Sequence, residues 1–322
     1  MSLQRALFKH RSWFRFAFQL RGSVIPAILF RTLICGAFGA FISVLHYGGI
    51  PVSLPVLASV IPNIVLGLML VFRTNTAYER FWEGRKLWGT LINTVRNLAR
   101  QIWVIIAEKD ASDRQAKIST LNLLVAFSVA TKLHLRQEPV TEELQSLLQL
   151  QHYERLKTMN NPPLEIAFWI QDYLQQQYRH ERLNAYQLGG MQELLDQMVD
   201  VLGGCERILK TPIPLAYAIH LKQLLLIYCL SLPFQFVSQL GWWTAAIVAL
   251  MSFTLFGIEE IGIEIENPFG RDPNDLPLDQ ICETMKRNIA DLITIEPKNS
   301  ETFLVEQTPY TELPDDKQLL NT

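Results

Sequence analysis

The chain has 322 residues, 49% of them hydrophobic, and a formal net charge of −2 from 29 basic and 31 acidic side chains. A near-neutral balance without a basic excess excludes an electrostatic nucleic-acid binder. The apolar residues gather in four clusters, and mean hydropathy is only slightly positive; that fits a protein roughly one-third membrane and two-thirds aqueous rather than a fully embedded transporter.

In chain order, residues 1–23 read as an amphipathic, membrane-surface segment on the cytoplasmic side. Arg5, Lys9, Arg11, Arg15 and Arg21 alternate there with Leu7, Phe8, Trp13, Phe14, Phe16, Phe18 and Leu20, too basic and interrupted for a cleavable signal. A transmembrane hairpin follows over 24–75. Its first span, about Val24–His46, carries one charge near its start, Arg31, whose long side chain is expected to snorkel to the interface. Gly48, Gly49, Pro51 and Pro55 make the turn. The second apolar run, Val56–Phe72, is short for a span, and Pro62 inside it is expected to bend it.

Residues 76–210 read as a cytoplasmic helical domain. The second helix continues into water over 76–108 with Glu79, Arg80, Glu83, Arg85 and Lys86, and helical patterns follow at about 113–136, 141–158, 164–178 and 183–210. The break Asn160-Asn161-Pro162-Pro163 separates two of them, and the Gln-rich runs near 145–151 and 171–177 read as solvated faces. No alternating strand pattern appears. A second transmembrane hairpin covers 211–258, with apolar clusters at 213–237, interrupted by His220 and Lys222, and at 242–258, opened by the interfacial anchors Trp242 and Trp243. Pro233 and Gly241 are expected to flank the turn between them. A helical segment over 259–295 and a polar, loosely structured tail over 296–322 complete the chain. The hairpin turns 47–55 and 238–241 contain no Lys or Arg, whereas the other flanks do; both termini and the middle domain are therefore expected in the cytoplasm.

Signatures of catalysis are missing: there is no HExxH, P-loop, GxGxxG or GxSxG, and the six histidines are scattered. The chain does not read as an enzyme. Cys35, Cys205, Cys229 and Cys282 are too far apart for a zinc or disulfide framework and read as small apolar fillers. Glu79 and Glu83 alternate with Arg80 and Arg85, as in helix-surface or intersubunit ion pairs. The acidic cluster Glu259, Glu260, Glu264 and Glu266 is open to two readings, a cation site or a solvated helix with basic neighbours. Ile64, Leu68 and Phe72, spaced i, i+4, i+8, share one helix face. Such a stripe faces lipid or packing neighbours unless several copies close it around an axis, where it becomes a hydrophobic constriction that gates by dewetting, with Asn75 and Thr76 below it.

Three blocks resemble the bestrophin family and its bacterial and plant relatives. They are residues 72–89 (FRTNTAYERFWEGRKLWG), 266–278 (ENPFGRDPNDLPL) and 211–217 (TPIPLAY). Their order agrees with the family's, and the resemblance covers about residues 10–295. It implies an all-α integral membrane protein with four transmembrane helices and a large cytoplasmic helical domain. It further implies a homopentamer with one central pore and passive conduction of monovalent ions, chloride and other anions in most members and cations in some bacterial ones. The pore neck then falls on Ile64, Leu68 and Phe72, and a second, cytoplasmic aperture on the segment from Leu188 to Met191. Leu68 departs from the aromatic of animal members. The family's calcium clasp maps to Asp272 and Asp275, but Arg271 stands where an acid would be. Calcium wants roughly six to eight oxygens and net negative charge, so a calcium-free site is favoured and no cofactor is required; the alternative is turn chemistry after Gly270. Two rivals remain: a cation channel on the same scaffold, and a membrane-anchored scaffold or sensor without a continuous pore. The host membrane is expected to be the plasma (inner) membrane, with a thylakoid membrane as the alternative.

Overall fold

The computed structural model describes residues 18–54 and 60–296. The N-terminal segment before residue 18, the start of the second apolar run and the tail from 297 lie outside the described residues. The described chain is helical: α1 Ile25–Tyr47, α2 Val60–Ile105, α3 Ala111–Leu135, α4 Glu142–Gln145, α5 Leu150–Leu156, α6 Pro162–Arg179, α7 Ala185–Lys210, α8 Leu215–Leu240, a 3₁₀ turn Gly241–Trp243, α9 Thr244–Glu264 and α10 Leu278–Ile293.

Among the described residues, side-chain caps set three helix starts. Asp110 caps α3 by accepting from the Asp113 N–H at 2.9 Å, and Asn161 caps α6, whose Pro162 and Pro163 occupy first-turn positions that need no N–H partner. Asn184 and Gln187 form a reciprocal capping box at the start of α7, with bonds of 2.9 and 3.0 Å. The pattern expected over 141–158 resolves into two short helices, α4 and α5, separated by Ser146–Gln149. Pro62 lies inside α2, near the start of its described part. Pro233, expected at a turn, instead lies inside α8, and beside it the Ser231 hydroxyl donates to the Tyr228 carbonyl at 2.7 Å. The turn begins at Gly241, which ends α8 at φ +54° and opens the 3₁₀ turn to Trp243.

Three stretches of the described residues are long and apolar enough to cross a membrane: α1, α3 and the continuous run of α8 and α9. Burial separates them. The most apolar window of α3 is 78% buried within the chain, against 33% for α1 and 28% for the α8–α9 run, so α3 has little surface left for lipid. It forms the centre of the larger core, where Leu121, Leu124 and Phe127 meet Trp88, Leu91 and Leu98 of α2, Ile166 and Ile170 of α6, Met191, Leu195 and Met198 of α7, and Met285 and Ile289 of α10. Its buried amines are paired: Lys117 with Glu108 at 2.7 Å, Lys132 with Glu143 at 2.7 Å and Asp279 at 2.9 Å. Gln177, expected on a solvated face, is buried and accepts from Arg182.

A second, smaller core joins α1, α8, α9 and the first turns of α2 through Ile28, Leu66, Leu70, Leu221, Leu225, Val248 and Phe256. Here α1 and α9 approach closely because small residues face each other. A Cβ on Gly36 would meet the Ala249 Cβ at 3.1 Å, and one on Gly39 the Ala245 Cα at 3.1 Å. The 46-residue α2 runs through both cores, about 69 Å at 1.5 Å per residue, so the two cores share one rod.

Candidate functional site on α2

Helical period sorts the first turns of α2 into two faces. Leu66, Leu70, Arg73 and Ala77 are buried against the chain's own α8 and α9. Ile64, Leu68 and Phe72 point the other way, 56%, 52% and 60% exposed. The same outward face continues into Asn75, Glu79, Lys86, Asn93 and Arg100. Glu79, Lys86 and Arg100 are exposed, and no ion pair within the described residues involves them. One uncovered face thus changes from apolar to charged along a single rod.

What holds that face outward is a buried clamp that sequence reasoning missed. The Arg73 side chain, 4% exposed, reaches Glu266 at 3.2 Å, and the other Glu266 oxygen accepts from the Ile213 N–H at 3.0 Å. One turn pair further on, Arg80 donates to the carbonyls of Glu266 at 3.0 Å, Ile208 at 2.6 Å and Thr211. The Tyr217 hydroxyl donates to the Met69 carbonyl at 2.6 Å. α2 is therefore pinned to the end of α9 and the start of α8 immediately behind Phe72. Gly262 lies against this side chain: a Cβ there would sit 3.4 Å from the Arg73 Nε, in ordinary contact. The only sequence signal was an arginine at the end of an apolar run followed by another seven residues later.

Other sequence expectations fare differently. Leu188 and Met191, expected at a cytoplasmic aperture, are 8% and 0% exposed and belong to the larger core; a side chain already enclosed by its own chain cannot line an opening. At that end of α7 the projecting side chain is Tyr186, 92% exposed. Arg31, expected to snorkel, is 42% exposed, pairs with Glu260 at 2.8 Å and lies 3.6 Å from Glu259. The acidic cluster is not a solvated face either: Glu259 is 1% exposed, Glu264 accepts from Asn274 at 2.7 Å, and Glu266 serves the clamp. Glu83 pairs with Arg207 of α7 at 2.7 Å rather than with its helical neighbours.

The loop after Glu266 is stapled by arginines. Arg136 donates to the carbonyls of Phe269 and Gly270 at 3.1 and 3.2 Å and to both Asp279 oxygens at 3.0 Å. Arg271 makes a two-pronged pair with Glu138 at 2.6 and 2.8 Å, a bond that holds the Glu138 carboxyl below its usual range. Asp275 turns inward and accepts from the Asp272 N–H at 2.7 Å; burial pushes its carboxyl above the usual range, against that bond. Among the described residues no three His, Cys, Asp or Glu side chains are grouped to hold a metal. The Asp275 carboxylate thus reaches back three residues to the Asp272 N–H, and the Asp275 N–H donates in turn to the Asp272 carbonyl at 3.0 Å, while the Arg136 guanidinium occupies the Phe269 and Gly270 carbonyls.

Comparison with known proteins adds the lineage. The family model for bacterial and fungal bestrophin proteins matches residues 6–291. A voltage-dependent anion channel-forming protein of Nostoc sp. is 67% identical over 287 residues, which cover 89% of this chain and 94% of the relative. The voltage-dependent anion channel-forming protein YneE of Escherichia coli K12 is 32% identical over 276 residues, 85% of this chain and 89% of the relative. A crystal structure of a mutated bacterial bestrophin homologue from Klebsiella pneumoniae superposes with a TM-score of 0.76 at 31% identity, covering 82% of this chain and 98% of that one. The chain is a membrane protein of the bestrophin family.

Proposed function

We propose that this protein is a passive channel for monovalent anions, formed by a homopentamer in which α2 of each subunit faces a common axis. The observation that carries the reading is the uncovered face of α2: apolar at Ile64, Leu68 and Phe72, then polar and charged along the same rod. Lipid would suit the first part of that face and not the second; a dry neck opening into an aqueous vestibule suits both. Four helices then cross the membrane, α1, α8, α9 and the apolar start of α2, with both termini and the body of α3–α7 in the cytoplasm of a plasma (inner) membrane.

A hydrophobic ring does not choose charge sign; it penalises strongly hydrated ions of either sign. Sign selection falls to the vestibule, where Lys86 and Arg100 outnumber Glu79 on the exposed face. The similar proteins from Nostoc and E. coli are named anion channel-forming, which favours anions over the cation-conducting rival. The Tyr186 ring replaces Leu188 and Met191 as the second constriction. Arg136 and Arg271 supply the positive charge that a calcium ion would bring to the loop at 266–279, so gating is calcium-independent.

Recording from purified protein in bilayers with asymmetric salt, with and without calcium, tests the reading. Reversal potentials should follow the anion gradient, nitrate and iodide should pass more readily than fluoride, and alanine at Ile64, Leu68 or Phe72 should raise flux. A cation-following reversal potential, or neck variants with unchanged flux, refutes it.

A further inference from the structure

We propose that α1, α8 and α9 form a seat for an inner-leaflet phospholipid whose headgroup carries a hydroxyl or ammonium donor beside its phosphate. A cavity of about 230 Å³ lies between these helices. Its polar end is made by Arg31, Lys222 and Glu259, and its apolar arm includes Ile34, Leu226 and Leu230.

Depth places this seat at the headgroup boundary. Trp242 and Trp243, 59% and 73% exposed, mark the opposite interface at the start of α9. Glu259 lies sixteen residues after Trp243, about 24 Å along a helix, which leaves it roughly 6 Å short of the far edge of a 30 Å hydrocarbon layer. Lys222 and Arg31 stand at matching depth, near the cytoplasmic starts of α8 and α1.

Glu259 specifies the headgroup. It is 1% exposed, and its Oε1 accepts no hydrogen bond from the protein. The Lys222 amine stands 3.9 Å away and the Arg31 guanidinium 3.6 Å from the other oxygen, both beyond hydrogen-bond reach. A buried carboxylate oxygen in that position calls for an external donor. Lys222, 58% exposed, remains available to a phosphate, while Arg31, 42% exposed, already pairs with Glu260 at 2.8 Å and adds positive charge beside it. Ile34 and Leu226, 49% and 52% exposed, continue outward as a surface for an acyl chain. Glycerol and ethanolamine headgroups have the donor that Glu259 lacks, and choline does not.

The test is lipid retention by the intact, purified assembly, extracted from vesicles of equal parts phosphatidylglycerol, phosphatidylethanolamine and phosphatidylcholine with identical acyl chains, and read by native mass spectrometry. The first two should be retained over the third by about tenfold, the equivalent of one charge-assisted hydrogen bond. Glu259→Gln should abolish that preference, and Lys222→Gln should lower retention of all three lipids. Should Glu259→Gln fail to fold, Leu226→Trp, at a half-exposed position, fills the apolar arm and should reduce retention equally across lipids. Equal retention of all three lipids, no retained lipid, or variants that bind as the parent does would each overturn the proposal. None of these readouts depends on whether α2 lines a pore.

Discussion

Removing the Glu266 carboxylate should unfold the junction between the two cores before it alters anything else. Glu266 is the ionic partner of Arg73 at 3.2 Å, and Arg73 is 4% exposed, so Glu266→Ala leaves a guanidinium sealed in the protein without its counter-charge. Breaking one half of such a pair costs about 3–5 kcal/mol. Glu266 itself is 19% exposed, which admits some water and places the expectation at the lower end of that range. The Ile213 N–H loses its acceptor in the same variant, about 1 kcal/mol more. Glu266→Gln keeps a single carbonyl oxygen, an acceptor for only one of the two donors, and should cost less than the alanine variant but more than the double one. The decisive variant is the double substitution Arg73→Met with Glu266→Met. With no charge left to bury it should recover most of the loss, because well-packed apolar replacements of buried ion pairs are close to neutral. Thermal denaturation of the detergent-solubilised oligomer, followed by size-exclusion fluorescence, supplies the ranking parent, double variant, Glu266→Gln, Glu266→Ala. An alanine variant as stable as the parent, or a double variant worse than the sum of the single ones, refutes the argument that an orphaned charge is the cost.

Two further outcomes are expected. Gly241→Ala should destabilise the hairpin of α8 and α9 by about 1–3 kcal/mol, since φ there is +54° and the new Cβ would overlap the Tyr47 hydroxyl; Tyr47→Phe in the same background should relieve only the overlap, and a fully stable single variant would show that the turn has another conformation. His152 stacks on Trp169 with centroids 4.0 Å apart, and its burial, then the nearby Arg155, hold it below its ordinary value against the pull of Glu165. The folded protein thus disfavours the charged ring. Its contribution is complete above the unfolded value, about 6.5, and is lost as pH falls below it. Thermal stability should decline less between pH 7 and pH 5 in His152→Phe than in the parent, and parallel slopes would contradict this.

Much of this architecture is legible in the linear chain because it depends on local quantities. Apolar runs, the basic flanks and helix-stop residues report span positions; Asn161-Pro162 and Asn184 with Gln187 mark helix starts through bonds of three residues' reach. The i, i+4, i+8 spacing of Ile64, Leu68 and Phe72 puts them on one face whatever surrounds it. The block around Asn267-Pro268-Phe269-Gly270 carries the family signal unaided.

Tertiary packing decided the rest, since burial and charge pairing depend on partners far away in sequence. α3 has the composition of a span and becomes the centre of the larger core because α2, α4, α6, α7 and α10 cover it. Met191 looks available on a helix near a glycine pair and is wholly enclosed. Arg73 and Glu266 are 193 residues apart, so no window along the chain contains both, yet their contact sets which side of α2 remains uncovered. Periodicity says that a face exists; only the packed chain says what that face meets.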